Sequence, residues 1–411
     1  MEEITLELET VTPLFIAGAD QGNIENEGLR APSLRGLLRW WFRAIMGGVK
    51  FYCGNLNLKS IKEEEGKLWG TTERQSKVLL NIFPIDSRVS TFQNIRGRGI
   101  RYLSYGSFGR PYIDIGSRFE MHIFFRGSIS DEDKKKVTAT LWLLLNLGNV
   151  GSKSRKGFGS LKVTRDVTIS GIEFKNPNSL EELKDYLKNN LKKCLSIFGW
   201  DGTKPRSTPL PPYSIIAPLH WKMKILGTTH DSAIDAINYI GEKIREYRED
   251  RGNPSARHTR PTRRGTFSYW VTRDYSSVKS IYNKSSPSTP QGSIFGLPHQ
   301  FQFQSINKKA IVKGIEHIAP EWQRFSQIHK KAIVKGIEHD RRASPLYIKI
   351  WKLNDNQYAI GLQLFKSLFI PEDKLRISDL TNPNIKADVD PPPYTYLENF
   401  LNKLPGRWIR I

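Results

Sequence analysis

Hydrophobic positions in the first half of the chain switch between a period of two and a period near 3.6, the repeats of strand and helix. Ile4, Leu6 and Leu8 alternate with polar residues, and the apolar character continues through Leu14, Phe15 and Ile16, which predicts a strand. Residues 33–46 place Leu34, Leu37, Leu38, Trp41 and Ile45 on one helical face, with Pro32 just ahead and Gly47-Gly48 closing the segment. Residues 78–85 and 119–125 read as strands. Residues 131–147 read as a second helix: Asp131 suits an N-cap, acids fill the first turn, and Val137, Leu141, Leu144 and Leu145 make the apolar face. A glycine-rich stretch follows, and 161–167 returns as a strand. The order β-α-β-β-α-β predicts an α+β fold of ferredoxin-like type.

The second half repeats this order more loosely. A helix at 179–198 and a proline-rich stretch at 205–212 mark a boundary. Beyond it come a strand at 214–226, a helix at 232–248, strands at 293–303, 346–353 and 357–370, and a short helix at 396–404. The expected organisation is two tandem ferredoxin-like domains with insertions: an N-terminal domain over 1–170, a helical linker region over 171–212, and a C-terminal domain over 213–411. Two segments interrupt the pattern. Residues 245–264 hold seven arginines among Gly, Pro, Ser and Thr, which predicts a mobile basic loop. Residues 306–317 (INKKAIVKGIEH) recur at 328–339 with one mismatch. Two copies are too few for a solenoid. A duplication in a surface loop fits, because lengthening a loop adds little closure entropy.

Composition narrows the class. Of 411 residues, 38% are hydrophobic and 25% charged, which is globular rather than disordered and leaves room for two cores. No apolar run approaches the roughly 18–20 residues that span a bilayer. The N-terminal MEEITLELET reads as a strand rather than a secretory signal. With only Cys53 and Cys194, a disulfide scaffold and a zinc module are excluded, and the expectation is a cytoplasmic protein without metal or cofactor. Lys and Arg total 63 against 41 Asp and Glu, a net charge of +22. So large an excess repels itself in the folded state, and its common use is attraction to a polyanion such as nucleic acid. A thermophile-type surface would carry balancing glutamates instead.

The strongest binding element is the stretch 148–161, GNVGSKSRKGFGSL. Gly148, Gly151, Gly157 and Gly159 let the backbone enter positive φ and approach a ligand closely. Successive amides can face a phosphate while Lys153, Arg155 and Lys156 neutralise charge and Ser152 and Ser154 donate hydrogen bonds. The loop is neither a Walker A motif nor G-x-G-x-x-G. Lys156-Gly157-Phe158-Gly159 matches the start of the RNA-recognition-motif signature, from which Ser160 and Leu161 depart. In the 33–46 helix, Arg35, Arg39 and Arg43 form one cationic stripe with no acid among them, so their repulsion calls for an anion. Trp40 is placed either to stack a base or to pack beside Trp41. Weaker basic candidates are the turn 96–101 (RGRGIR), Arg257, Arg260, Arg263 and Arg264, which can track a backbone by counterion release, and Arg341 with Arg342. A merely solvated basic surface is the plain alternative for each. Metal-free RNA cleavage needs a general base and acid. His122, His220, His230, His258 and His299 are the histidines available for that, and no pair of carboxylates with two-metal spacing stands out.

The glycine-rich loop and the arginine-striped helix together resemble the RAMP superfamily of CRISPR-associated proteins. The stretch Arg30-Ala31-Pro32-Ser33-Leu34-Arg35-Gly36-Leu37-Leu38-Arg39-Trp40-Trp41-Phe42-Arg43 is similar to the first-helix signature of subunit one of the type III-B Cmr effector complex. Residues 151–161, Ile294-Phe295-Gly296-Leu297-Pro298 and Arg341-Arg342-Ala343-Ser344-Pro345-Leu346 are similar to that family's later blocks; the 306–339 duplication departs from the pattern. The resemblance implies two fused ferredoxin-like domains in a multisubunit ribonucleoprotein, at the end holding the 3′ part of the guide RNA, where this subunit helps engage target RNA. It makes the glycine-loop positions and Arg35, Arg39 and Arg43 the expected RNA contacts, with guide RNA, target RNA and other Cmr subunits as partners. No catalytic residue is carried over. A metal-independent endoribonuclease that processes guide precursors is the alternative within the superfamily.

Overall fold

The alternation at the N-terminus becomes strand β1 (Glu3–Thr10), with Ile4, Leu6 and Leu8 buried and Glu3 and Thr5 exposed. The structure, a computed structural model, describes residues 3–18, 24, 28–93, 95–202, 209–249, 257–262, 265–272, 274–283, 286–295, 299–303, 308–314, 344–353, 357–368, 375–382 and 384–410. After β1 come α1 (Ala31–Tyr52), α2 (Leu58–Trp69), β2 (Val78–Asp86), β3 (Val89–Thr91), α3 (Arg98–Leu103), β4 (Pro111–Ile113), β5 (Arg118–Phe125), α4 (Asp131–Leu147), β6 (Leu161–Val163), β7 (Val167–Ile169), β8 (Ile172–Phe174) and α5 (Leu180–Ile197). The chain continues with β9 (Trp221–His230), α6 (Ala233–Arg248), β10 (Arg257–Thr262), β11 (Gly265–Trp270), α7 (Tyr275–Lys279), β12 (His299–Phe303), β13 (Lys308–Gly314), β14 (Leu346–Lys352), β15 (Tyr358–Phe365), β16 (Leu375–Asp379), β17 (Lys386–Val389), α8 (Thr395–Lys403) and β18 (Gly406–Ile409). The fold is mixed α/β and is built on antiparallel pairings.

Compactness divides the chain into two units, one of residues 1–242, 347–367 and 404–411, the other of 243–346 and 368–403. The first unit holds two four-stranded sheets, ordered β2-β5-β1-β6 and β14-β15-β9-β18. β1 pairs antiparallel with β5 and β6, and β9 pairs antiparallel with β15 and β18. One apolar core serves both sheets, from Leu6, Trp41 and Trp142 to Trp221, Tyr347 and Phe365. Helix α4 is buried on every side from Val137 to Leu147, which suits its nearly unbroken apolar second half. Ser130 rather than Asp131 caps it: the Ser130 hydroxyl accepts from the Asp133 amide at 3.1 Å.

Helix α1 runs on past Gly47-Gly48, which the sequence marks as a stop. The Ile216 amide donates to Ala44 O at 2.9 Å, and a Cβ on Gly48 would collide with Ile216 O. Gly48 thus admits a neighbouring backbone, and Gly47 admits the Tyr213 side chain. Several strands are also shorter or shifted: 161–167 ends at Val163, 214–226 begins only at Trp221 and extends to His230, and 357–370 ends at Phe365. Within 293–303, Gln291–Phe295 is a 3-10 helix and only His299–Phe303 is strand.

The second unit contains the hairpin β10-β11 and the sheet β12-β13-β16-β17. It corrects two expectations. The arginine-rich segment is not one loop: Arg245 and Arg248 end α6, with Arg245 Nε donating to Glu249 Oε1 at 2.8 Å, and Arg257 and Arg260 lie on β10, paired in register with β11. Strand pairing outweighs local polarity there. The first copy of the duplication is no surface loop either. Its KKAIVKG forms β13 between β12 and β16, with Ala310 and Val312 buried. The second copy lies outside the described residues.

Candidate nucleic-acid interface

Helix α4 delivers the chain into the glycine-rich loop, and side chains from β14 and β15 hold it there. The last carbonyls of a helix have no partner within it. Here Lys349 Nζ donates to Leu145 O at 2.8 Å and Gly148 O at 2.7 Å, Trp351 Nε1 donates to Asn146 O at 3.0 Å, and Gln363 Nε2 donates to Leu147 O at 2.6 Å. Buried Asn149 then ties the base of the loop. Its amide nitrogen donates to Ser154 O at 2.5 Å and Ile348 O at 2.8 Å, and its Oδ1 accepts from Ser160 Oγ at 2.6 Å. Gly151, Gly157 and Gly159 take φ of +81°, +85° and +76°, and a Cβ on Gly159 would collide with Val150 O. Lys153 takes φ +62° without being glycine, a conformation that costs about 1–2 kcal/mol.

Much of the loop therefore serves the protein itself. The amides of Val150, Ser152, Lys156 and Gly159 donate to Gly159 O, Phe15 O, Lys153 O and Pro13 O at 2.8, 2.7, 2.7 and 3.0 Å. Gly148, Gly157, Phe158 and Gly159 are buried, and Phe158 packs in an aromatic cluster with Phe15 and Phe92, ring centroids 5.4 and 6.1 Å away. Ser152 is exposed, while Gly151, Lys153, Ser154, Arg155 and Lys156 are half-buried. What the loop leaves accessible is a set of side chains rather than a run of amides.

Arg35, Arg39 and Arg43 are each half-buried along α1. The absence of acids holds within α1 but not in space. Glu65 of α2, with 3% of its side chain exposed, pairs with Arg39 and accepts from Arg43 Nη1 at 2.7 Å. One carboxylate between two guanidiniums leaves a net positive charge. Leu37, expected in the core, is only half-buried. Trp40 packs edge-on against Trp41 and Phe365, centroids 4.8 and 5.8 Å apart, and carries the Arg155 guanidinium over its ring at 5.8 Å. A cation over a Trp face is attracted by the ring quadrupole. This contact joins the helix to the loop.

The outer face of the first sheet mixes charges of both signs with aromatic rings. This face carries Phe83, 52% exposed, with His122 and Phe124 beside it, and four glutamates, Glu3, Glu7, Glu9 and Glu120. They are paired locally: Arg118 with Glu7 at 3.4 Å, Lys162 and Lys352 with Glu9 at 3.6 and 3.5 Å, and His122 with both Glu3 and Glu120. The hydrogen bond to Glu3 raises the His122 pKa, and the same bond lowers that of Glu3.

The remaining predicted residues do not converge. Arg96, Arg98 and Arg101 are exposed around α3, a short helix where a turn is expected, and Arg257 is exposed on β10. Arg263, Arg264, Arg341 and Arg342 lie outside the described residues. His220 packs against Phe51 at 5.4 Å and His230 against Tyr239 at 4.8 Å, and burial lowers the pKa of each. His258 and His299 lie on β10 and β12. Among the described residues no group of three or more His, Cys, Asp or Glu could hold a metal ion, and no helix is long and apolar enough to cross a membrane. Sequence reasoning missed Asn149, Lys349 and Gln363, polar residues whose only sequence signal is their place in otherwise apolar runs.

The chain is similar to several known proteins. The RAMP superfamily pattern matches residues 7–162. The CRISPR system Cmr subunit Cmr1-1 of Pyrococcus furiosus is 32% identical over 203 residues, 46% of this chain and 56% of that protein. The chain thus spans little more than half the length of that relative. The CRISPR system Cmr subunit Cmr1-2 of the same organism is 33% identical over 186 residues, 40% of this chain and 96% of that protein. The crystal structure of Cmr1 from Pyrococcus furiosus in its apo form aligns with a TM-score of 0.57 at 20% identity, covering 99% of this chain and 98% of that one, a likeness of fold.

Proposed function

The chain belongs to the Cmr1 family of the RAMP superfamily, and from that premise we propose that it is a non-catalytic RNA-binding subunit of a type III-B CRISPR effector. In this reading it contacts the 3′ region of the guide RNA, the target RNA or both, beside other Cmr subunits. The observation that carries the reading is the stacking of Arg155 on Trp40, which brings the basic loop and the arginine-striped helix together. The net charge of +22 and the unbalanced bases of that helix and loop support an RNA path over them. Ser152, Lys153, Ser154, Arg155 and Lys156 are the loop's contact side chains, with Arg35, Arg39 and Arg43 alongside. Affinity rests on phosphate contacts, and sequence discrimination on base pairing between guide and target. The scattered settings of His122, His220 and His230 favour binding over metal-free cleavage. Both sheets of the first unit, numbered by order in the chain, run second-third-first-fourth, which supports two tandem ferredoxin-like domains, 1–170 and 213–411, joined through 171–212.

The test is single-stranded RNA binding measured across a salt series. The combined change Lys153→Ala, Arg155→Ala and Lys156→Ala should weaken binding and reduce the slope of log K against log salt by about 0.7 per lost phosphate contact. An unchanged slope removes the loop from the interface.

A further inference from the structure

The turn 104–110, Ser-Tyr-Gly-Ser-Phe-Gly-Arg, follows α3 and has no part in the motifs above. Tyr105 is 82% exposed and Phe108 79%, whereas the next most exposed large apolar residue among those described, Leu219, reaches 57%. Two aromatic rings three residues apart in the chain and held in water forgo the burial that normally stabilises such side chains. The turn beneath them is firmly built. The Ser104 amide donates to Ile100 O at 2.8 Å, Ser107 to Ser104 O at 2.8 Å, Gly109 to Phe92 O at 2.9 Å and Arg110 to Ser107 O at 3.1 Å. Ser107 is fully buried, and Gly106 and Gly109 supply the positive φ angles that the two bends require. Phe92, which holds the turn, belongs to the same buried aromatic cluster as Phe15 and Phe158. The rings are therefore presented on a rigid base.

Their surroundings are cationic and lie against the glycine-rich loop. Lys153 Nζ donates to Tyr105 O at 2.6 Å, and Arg110 is near enough to help burial depress the Lys153 pKa. From Phe92 to Ile113 the chain carries Arg96, Arg98, Arg101 and Arg110 and no acidic residue. Exposed aromatics interleaved with cations are what single-stranded nucleic acid requires: cations follow the backbone, and rings accept bases whatever their sequence.

We propose that Tyr105 and Phe108 form a stacking platform for unpaired bases of single-stranded RNA whose phosphates are held by Lys153 and the neighbouring arginines. The proposal rests on the RNA-binding function above and adds a second kind of contact at the same site. It is tested with the full chain, an oligouridine of about twelve nucleotides and an abasic strand of equal length, each titrated over a salt series. Tyr105→Ala with Phe108→Ala should weaken oligouridine binding on the order of ten-fold or more, leave the salt slope unchanged, and leave abasic binding as in the wild type. Tyr105→Phe should retain most of the affinity. The wild-type thermal midpoint should persist in both variants, because neither ring supports the core. If the double variant binds oligouridine as the wild type does while the Lys153, Arg155 and Lys156 variant does not, the platform falls and the RNA-binding function stands. A double variant that instead loses only a protein partner also overturns the platform. If the wild type binds neither strand in a salt-dependent way, both readings fall.

Discussion

Replacing Lys349 with methionine removes the side chain that fastens the end of α4, and with it the entry to the basic loop. Lys349 is fully buried, and its ammonium donates to Leu145 O and Gly148 O at 2.8 and 2.7 Å. Each buried carbonyl left without a donor costs about 1–3 kcal/mol, so the lost bonds together amount to about 2–6 kcal/mol. Against this stands the cost of burying a cation, which lowers the Lys349 pKa from 10.5 to about 7. Between those two values the unfolded chain binds a proton that the folded chain does not, so this group makes folding more favourable as pH rises, by about 1.4 kcal/mol per pH unit. Methionine has no such dependence. Near pH 7 the two effects nearly offset, and the variant should differ little from the wild type. From pH 7.5 to 9.5 the wild type should gain about 2.7 kcal/mol relative to Lys349→Met. Urea unfolding followed by tryptophan fluorescence at pH 7.5, 8.5 and 9.5 measures this difference, in which all other titrations cancel. Hydrogen exchange at the Val150, Ser152 and Gly159 amides should quicken in the variant at every pH. Parallel stability curves for the two proteins would refute the reasoning.

Two further changes probe the charges around the loop. Glu65→Gln frees Arg39 and Arg43 from their shared counter-charge and weakens two charge-assisted bonds, about 1.5–3 kcal/mol each. The thermal midpoint should fall while RNA affinity at low salt and the salt slope both rise; an unchanged slope would mean that those arginines do not meet RNA. The raised His122 pKa means that its pairing with Glu3 and Glu120 stabilises the fold fully below pH 6.5, and that this contribution is lost as pH rises through the folded-state value. The midpoint difference between wild type and His122→Ala should therefore shrink toward alkaline pH, and a pH-independent difference would contradict the pairing.

Some of the site was legible because its signals are local. Helix α4 occupies the 131–147 span its periodicity predicts, and the Arg35, Arg39 and Arg43 spacing marks one face of α1 wherever that helix packs. The loop's glycines and bases announce themselves without neighbours. Other parts were hidden because their causes lie far along the chain. Glu65 reaches the stripe from a different helix, and β10 becomes a strand because β11 completes its hydrogen bonds. Tyr105 and Phe108 sit in a turn with no periodicity, so only their exposure singles them out.

By itself the sequence determined the helices α1 and α4, the strands β1, β2 and β5, the positive field and a loop that must bend at Gly151, Gly157 and Gly159. These follow from side-chain period, net charge and the absence of a Cβ, all properties of residues taken in order along the chain. Tertiary structure alone decided which part of the loop faces outward. Asn149, Lys349, Trp351 and Gln363 satisfy the backbone at the end of α4 and the base of the loop, and Phe158 sinks into an aromatic cluster. A buried polar group must find its partner, and that partner can stand some two hundred residues away, as Lys349 does from Leu145.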